Sequence, residues 1–140
     1  RGPMTAALVE HGHPPAIVLE LHEAWAKELE TRFPQLPVIQ QSAADLPDLL
    51  QTRGLPKAHR VISSLPWTLW SDELQDQVLN GVVDGMAPDG RMVTFTYLHS
   101  VFLPGARRFQ RKLNARFRHV QTSQVVWKNL PPAVIYGCDR

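Results

Sequence analysis

Glu20 is the first residue with chemistry to offer. It follows the apolar run Ala16-Ile17-Val18-Leu19 and precedes Leu21, so one carboxylate interrupts a buried-strand pattern. Burying an acid is costly unless something compensates it. A nearby Lys or Arg can do so. So can a ribose, whose two hydroxyl hydrogens one carboxylate accepts, and the ribose is preferred because it gives the acid a purpose. Ser42-Ala43-Ala44-Asp45 follows the next apolar run. Its small residues let a planar adenine lie against the backbone. Asp45 either accepts from an exocyclic amine or N-caps a helix over Leu46–Leu50, and the cap is the simpler reading. Ser63-Ser64-Leu65-Pro66-Trp67 is a proline-stiffened loop. It can hold an amine by its carbonyls and by cation–π contact, unless Trp67 and Trp70 simply pack on the next helix. Tyr97 and His99 are candidate bases by position. His11, His13, His22, His59 and His119 show no metal-ligand spacing, so no metal is expected.

These loops can cooperate only if strands aim them at one place. The pattern supplies such strands at Ala16–Leu21, Val38–Gln41, Arg60–Ser64 and Arg91–Tyr97, and two more at Val120–Trp127 and Ala133–Cys138. Between them lie helical segments. Pro3–His11 can form a short helix. Glu23–Phe33 carries Trp25, Leu29 and Phe33 on one face. Ser71 caps a helix that runs to Met86 with Leu74, Val78, Leu79, Val82 and Val83 at helical spacing, and Pro88-Asp89-Gly90 then reads as a turn. Pro104–Phe117 is a basic helix. Strands alternating with helices predict a wound parallel α/β sheet, whose ligands sit beyond the carboxyl ends of the strands. The last two strands are joined by the short link Asn129-Leu130-Pro131-Pro132. They must run antiparallel, since a parallel crossover needs about a dozen residues.

Composition narrows the class. The 140 residues are 44% apolar and 20% charged with a net charge of +2, which excludes a disordered chain. Cys138 is the single cysteine, so a disulfide scaffold is excluded and a reduced, cytoplasmic compartment is expected. Apolar runs reach four residues, as in Ala16–Leu19, against the ~20 a membrane span needs. No leader is legible after Arg1, because Glu10 and His11 break the apolar stretch. Charge is segregated: residues 1–89 hold six cations and twelve acids, residues 90–140 nine cations and one acid, Asp139. Arg107, Arg108, Arg111, Lys112, Arg116 and Arg118 concentrate that excess on the basic helix. They predict either contact with an anionic surface or a solvated face.

A wound α/β sheet closing in an antiparallel hairpin is the architecture of the class I S-adenosylmethionine-dependent methyltransferases. Val61-Ile62-Ser63-Ser64-Leu65-Pro66-Trp67, Pro88-Asp89-Gly90-Arg91-Met92-Val93-Thr94-Phe95-Thr96-Tyr97 and Val126-Trp127-Lys128-Asn129-Leu130-Pro131-Pro132-Ala133-Val134-Ile135-Tyr136 together resemble the bacterial phospholipid N-methyltransferases. They are similar, more loosely, to the ribosomal RNA adenine dimethylases. The resemblance implies S-adenosylmethionine as cofactor. It implies Gly2 as the last glycine of the cofactor loop, Glu20 and Leu21 beside the ribose, and Ala43, Ala44 and Asp45 beside the adenine. Ser63, Ser64, Leu65, Pro66 and Trp67 would line the methyl-transfer site, with Tyr97 and His99 opposite. Ala43 stands where the family has Asp. Ser64 stands where the adenine dimethylases hold their target amine with Asn, which weakens the nucleic-acid reading.

The resemblance therefore predicts methyl transfer to an amine, first a phospholipid headgroup such as phosphatidylethanolamine. The alternatives are a small metabolite, RNA adenine, or a non-catalytic lipid- or partner-binding remnant of the fold. The basic helix suits an anionic leaflet at ~1 kcal/mol per cation, hence peripheral attachment at the inner membrane face. The class I strand order is 3-2-1-4-5-7-6, and strand 1 has no counterpart in these residues. The expectation is one methyltransferase domain over 1–140, N-terminally incomplete, with Arg1 inside the cofactor loop. Its sheet should part into a two-strand and a four-strand piece with exposed ladder edges.

Overall fold

The computed structural model describes residues 2–140, so Arg1 and its expected place in the cofactor loop lie outside them. β1 (Val18–Leu19) and β2 (Val38–Ile39) form a parallel pair, Val18 opposite Val38 and Leu19 opposite Ile39. β3 (Ala58–Ser63), β4 (Met86–Tyr97), β5 (His119–Thr122) and β6 (Ala133–Asp139) form a second sheet in the order β3-β4-β6-β5. β3 and β4 are parallel, while β6 runs antiparallel to both β4 and β5. Placed side by side, the two pieces follow the class I order without its strand 1. The fold is a Rossmann-like α/β sheet closed by an antiparallel hairpin.

Both strands of the small sheet are shorter than expected, Val18–Leu19 in place of Ala16–Leu21 and Val38–Ile39 in place of Val38–Gln41. β1 has a ladder on one side, and its hydrogen bonds end with Val18 N–H to the Pro37 carbonyl (2.9 Å) and Glu20 N–H to the Ile39 carbonyl (3.1 Å). Two helices cover this pair. α1 (Pro3–Glu10) starts with proline, whose missing N–H has no partner to lose in a first turn. Before it Gly2 adopts φ 77°, and a Cβ there would stand 2.6 Å from Leu29 Cδ2. α2 (Glu23–Arg32) buries Ala26 and Leu29, and Leu29 with Phe33 and Leu36 packs against Ala6, Val9, Val18 and Val38. Trp25 does not join them: it is 39% exposed and stacks on His22 at 4.7 Å. Residues four apart drift about 40° around a helix, and a two-stranded sheet is too narrow to cover the whole stripe.

The main core lies between the larger sheet and the helices α4 (Asp72–Asp84) and α5 (Pro104–Arg116). Val78, Leu79 and Val82 meet Met86, Met92, Phe109, Leu113 and Tyr136 there. Ser71 caps α4 as expected, its Oγ accepting from Leu74 N–H at 3.2 Å. A single-turn helix at Ala43–Asp45 and α3 (Leu46–Thr52) pack on α4. The contact is so close that a Cβ on Gly81 would lie 2.2 Å from the Ala44 carbonyl oxygen. This seam ties the loop after β2 to the larger half of the molecule.

Two turn expectations change. Pro88-Asp89-Gly90 lies inside β4 as an irregularity, Met86–Arg91 standing opposite only Ala58–Arg60. The extra residues loop out and the ladder resumes, so the strand is bent rather than started there. β5 stops at Thr122 instead of Trp127. Ser123 Oγ accepts from Ile135 N–H at 2.9 Å, diverting the chain until the isolated Val126–Ala133 bridge.

Candidate active site

β1 and β2 are parallel, as are β3 and β4, so each pair presents its carboxyl ends at one edge, where wound sheets place their ligands. Glu20 follows β1. Its Oε1 accepts from His22 N–H at 2.8 Å, and no Lys or Arg among the described residues reaches the carboxylate. Lone pairs therefore remain on the carboxylate for hydroxyl donors. Leu21 beside it is exposed.

Ser42, Ala43, Ala44 and Asp45 follow β2. Ser42 Oγ accepts from Ala44 N–H at 3.1 Å and caps the short turn. Asp45 occupies the N-cap position of α3 without a side-chain cap bond and is exposed. The capping role expected of Asp45 has passed to Ser42, three residues earlier. Ala43 and Ala44 are half-buried against the main core.

The loop after β3 is held by its own first residue. Buried Ser63 Oγ accepts from Leu65 N–H (3.3 Å) and from Trp67 Nε1–H (3.1 Å). Ser64 and Pro66 are exposed and Leu65 half-buried. Trp67 is 1% exposed, stacked on Phe109 at 4.7 Å and edge-on to Trp70 at 5.2 Å. The ring belongs to the core and is withdrawn from any amine, contrary to the cation–π reading. What the loop offers a ligand is Ser64, Leu65 and Pro66. Tyr97, the last residue of β4, and His99 just past it stack at 5.7 Å with rings 7° from parallel, and both are exposed.

Gln75 is a positioning residue that sequence reading missed. Fully buried on α4, it donates through Nε2 to the Trp67 carbonyl (2.7 Å) and the Gly105 carbonyl (3.0 Å). It thereby joins the β3 loop to the start of α5. A glutamine at helical spacing with Val78, Leu79 and Val82 is the signal that could have found it. Cys138 is a fully buried free cysteine, and that burial pushes its thiol up to about 12.

The basic helix is divided. Lys112 Nζ meets Asp72 at 2.8 Å and Asp76 at 2.6 Å, and Arg116 meets Asp76 at 2.7 Å and Asn80 Oδ1 at 2.8 Å. Arg108 donates to the Trp70 carbonyl at 3.2 Å. Half of the expected cationic surface is therefore spent on α4 and the β3 loop. The Lys112 hydrogen bond holds the Asp76 carboxyl below its ordinary 3.8. A depressed folded pKa stabilises the fold at higher pH, and that stability is lost as pH falls through the folded value. Asp76→Asn should lower the urea midpoint at pH 7, and the gap to wild type should shrink below pH 3.8. A gap unchanged down to pH 2.5 would detach the network from the carboxylate charge.

These residues suit a nucleoside cofactor. Glu20 has acceptor capacity free, and Asp45 is an exposed acceptor beside the small residues Ala43 and Ala44. No protein-family profile matches the chain. It is 32% identical over 142 residues to an ornithine lipid N-methyltransferase of Singulisphaera acidiphila, a match covering 98% of this chain and 70% of that protein. Solved structures share the fold at low identity. An S-adenosylmethionine-dependent O-methyltransferase of Thermotoga maritima superposes with TM-score 0.68 at 13% identity, over 99% of this chain and 55% of its own. An rRNA methylase of Streptococcus thermophilus gives 0.64 at 11% over 89% and 72%. The 16S rRNA N2 G1207 methyltransferase of T. thermophilus, solved with its cofactor and guanosine, gives 0.65 at 16% over 96% and 32%. With its strand order and a relative this similar over nearly its whole length, the chain belongs to the class I S-adenosylmethionine-dependent methyltransferases, in the family of the ornithine lipid N-methyltransferase.

Proposed function

We propose that this methyltransferase acts on the amine of a lipid headgroup, of the phosphatidylethanolamine or ornithine lipid kind. The observation that carries the reading is the relative that methylates ornithine lipid, aligned over 98% of the chain. When bound, S-adenosylmethionine supplies an electrophilic methyl group and leaves as a thioether. In-line displacement asks the protein chiefly to position two partners and exclude water. In this reading Glu20 accepts the ribose hydroxyls, with Gly2 and Leu21 close by, and Ala43, Ala44 and Asp45 receive the adenine. The polypeptide of Ser63, Ser64, Leu65 and Pro66 accepts hydrogen bonds from the amine. An amine arriving as ammonium must shed a proton before its lone pair can attack, and His99 or Tyr97 takes it. The same reading puts one further strand between β1 and β3, from upstream residues or from another chain.

The test is transfer of radiolabelled methyl from S-adenosylmethionine into lipid. Detergent-dispersed phosphatidylethanolamine and ornithine lipid should take up label, and free ethanolamine and ornithine should take up little. Label confined to the free amines would end the lipid reading.

A further inference from the structure

The links leaving the rim beyond β4 and β6 expose large apolar side chains. Phe102 is 77% exposed, Trp127 68% and Leu130 90%. Phe102 lies on the link into α5, and Trp127 and Leu130 lie on the link into β6. The links meet where Leu98 N–H donates to the Pro132 carbonyl at 2.8 Å and Tyr97 pairs with Ala133. Monomers seldom leave several such side chains in water at one place without a use for them.

Cations accompany them. Arg107 and Arg111, one turn apart on α5, line one shallow depression with Phe102 and Pro104. Neither has a carboxylate partner among the described residues, unlike Lys112 and Arg116. Lys128 is exposed between Trp127 and Leu130. From Gly90 to Cys138 the chain holds no acid, so nothing on these links repels an anionic partner. Aromatic and aliphatic tips flanked by Arg and Lys match the layering of a bilayer interface, apolar below the headgroups and anionic among them. No helix among the described residues is long and apolar enough to cross a membrane.

We propose that this rim docks on an anionic bilayer surface. Phe102, Trp127 and Leu130 enter the headgroup layer while Arg107, Arg111 and Lys128 pair with lipid phosphates. The proposal rests on the lipid reading above and gives it an orientation, because Tyr97 and His99 open the link that carries Phe102. It also replaces the whole basic helix by its two free arginines near the rim.

Flotation with vesicles of phosphatidylglycerol and phosphatidylcholine tests it. The protein should float with these vesicles at low salt, not with phosphatidylcholine alone, and Trp127 emission should shift to the blue. Arg107→Gln with Arg111→Gln should weaken binding about thirty-fold, and Phe102→Ser with Leu130→Ser about ten-fold. Arg118→Gln, past the far end of α5, should bind within about two-fold of wild type, as a distant cation would. Equal binding to neutral vesicles, full binding by the double arginine variant, or no binding by wild type would overturn the proposal. So would a dimer in solution that Phe102→Ser dissolves, which would make a second copy the occupant. Methyl transfer to detergent-dispersed lipid keeps the two readings apart. Rim variants should retain it, and their losing it would place the rim in the active site and overturn docking. Vesicle binding without any lipid methylation would sink the substrate reading and leave docking standing.

Discussion

Replacing Glu20 by alanine should weaken S-adenosylhomocysteine binding about 100-fold or more, measured by calorimetry, while the melting temperature barely moves. The size follows from two hydrogen bonds to one carboxylate, each about 1.5–3 kcal/mol for a charged acceptor. The small structural effect follows from the surroundings. Glu20 is half-exposed, follows the last paired residue of β1, and its carboxylate accepts, among the described residues, from His22 N–H alone. Water can replace that single interaction. Glu20→Gln keeps one good acceptor and should lose about ten-fold, between alanine and wild type. Binding unchanged in the alanine variant would remove Glu20 from the cofactor site. A collapse of the melt instead would mean the carboxylate holds the β1–α2 turn, and the ribose assignment would fall with it.

Much of the fold was legible because its signals are local. Ser71 followed by Asp72 and Glu73 announces α4 by a cap and by acids suited to a helix N-terminus. The short link before Ala133 forces an antiparallel ending whatever else the chain does. What stayed hidden depends on neighbours distant in sequence. Lys112 and Arg116 look identical to Arg107 and Arg111 along the chain. Only the crossing of α5 over α4 brings the first pair to Asp76 and leaves the second pair free. Trp25 obeys helical spacing yet overhangs a sheet just two strands wide. Glu20, Ser63 and Tyr97 were legible as strand-end residues, since a strand's end is a local fact. The direction of the Trp67 ring was not, because a loop has no periodicity from which to read a buried face.

Trp67→Ala should therefore act on stability before it acts on substrate. The ring is fully buried, stacked on Phe109 and anchored through Nε1 to Ser63 Oγ. Removing it opens a cavity at the centre of the main core, for which large aromatic truncations cost about 3–5 kcal/mol. Against a margin of about 5–15 kcal/mol for a domain, that loss should lower the urea midpoint severely. Trp67→Phe separates the contributions. It keeps an aromatic face for Phe109 and deletes the Nε1 bond, so the cost should fall to about 1–2 kcal/mol, one hydrogen bond plus a smaller void. The Gln75 bond to the Trp67 carbonyl survives both changes, because it engages the backbone. Urea melts of the two variants decide the matter. If alanine melts like wild type while the KM for the lipid amine rises, the ring faces the substrate and the core assignment fails. If alanine is severely destabilised and phenylalanine keeps an unchanged KM, the loop presents its polypeptide to the amine and keeps its tryptophan for the core.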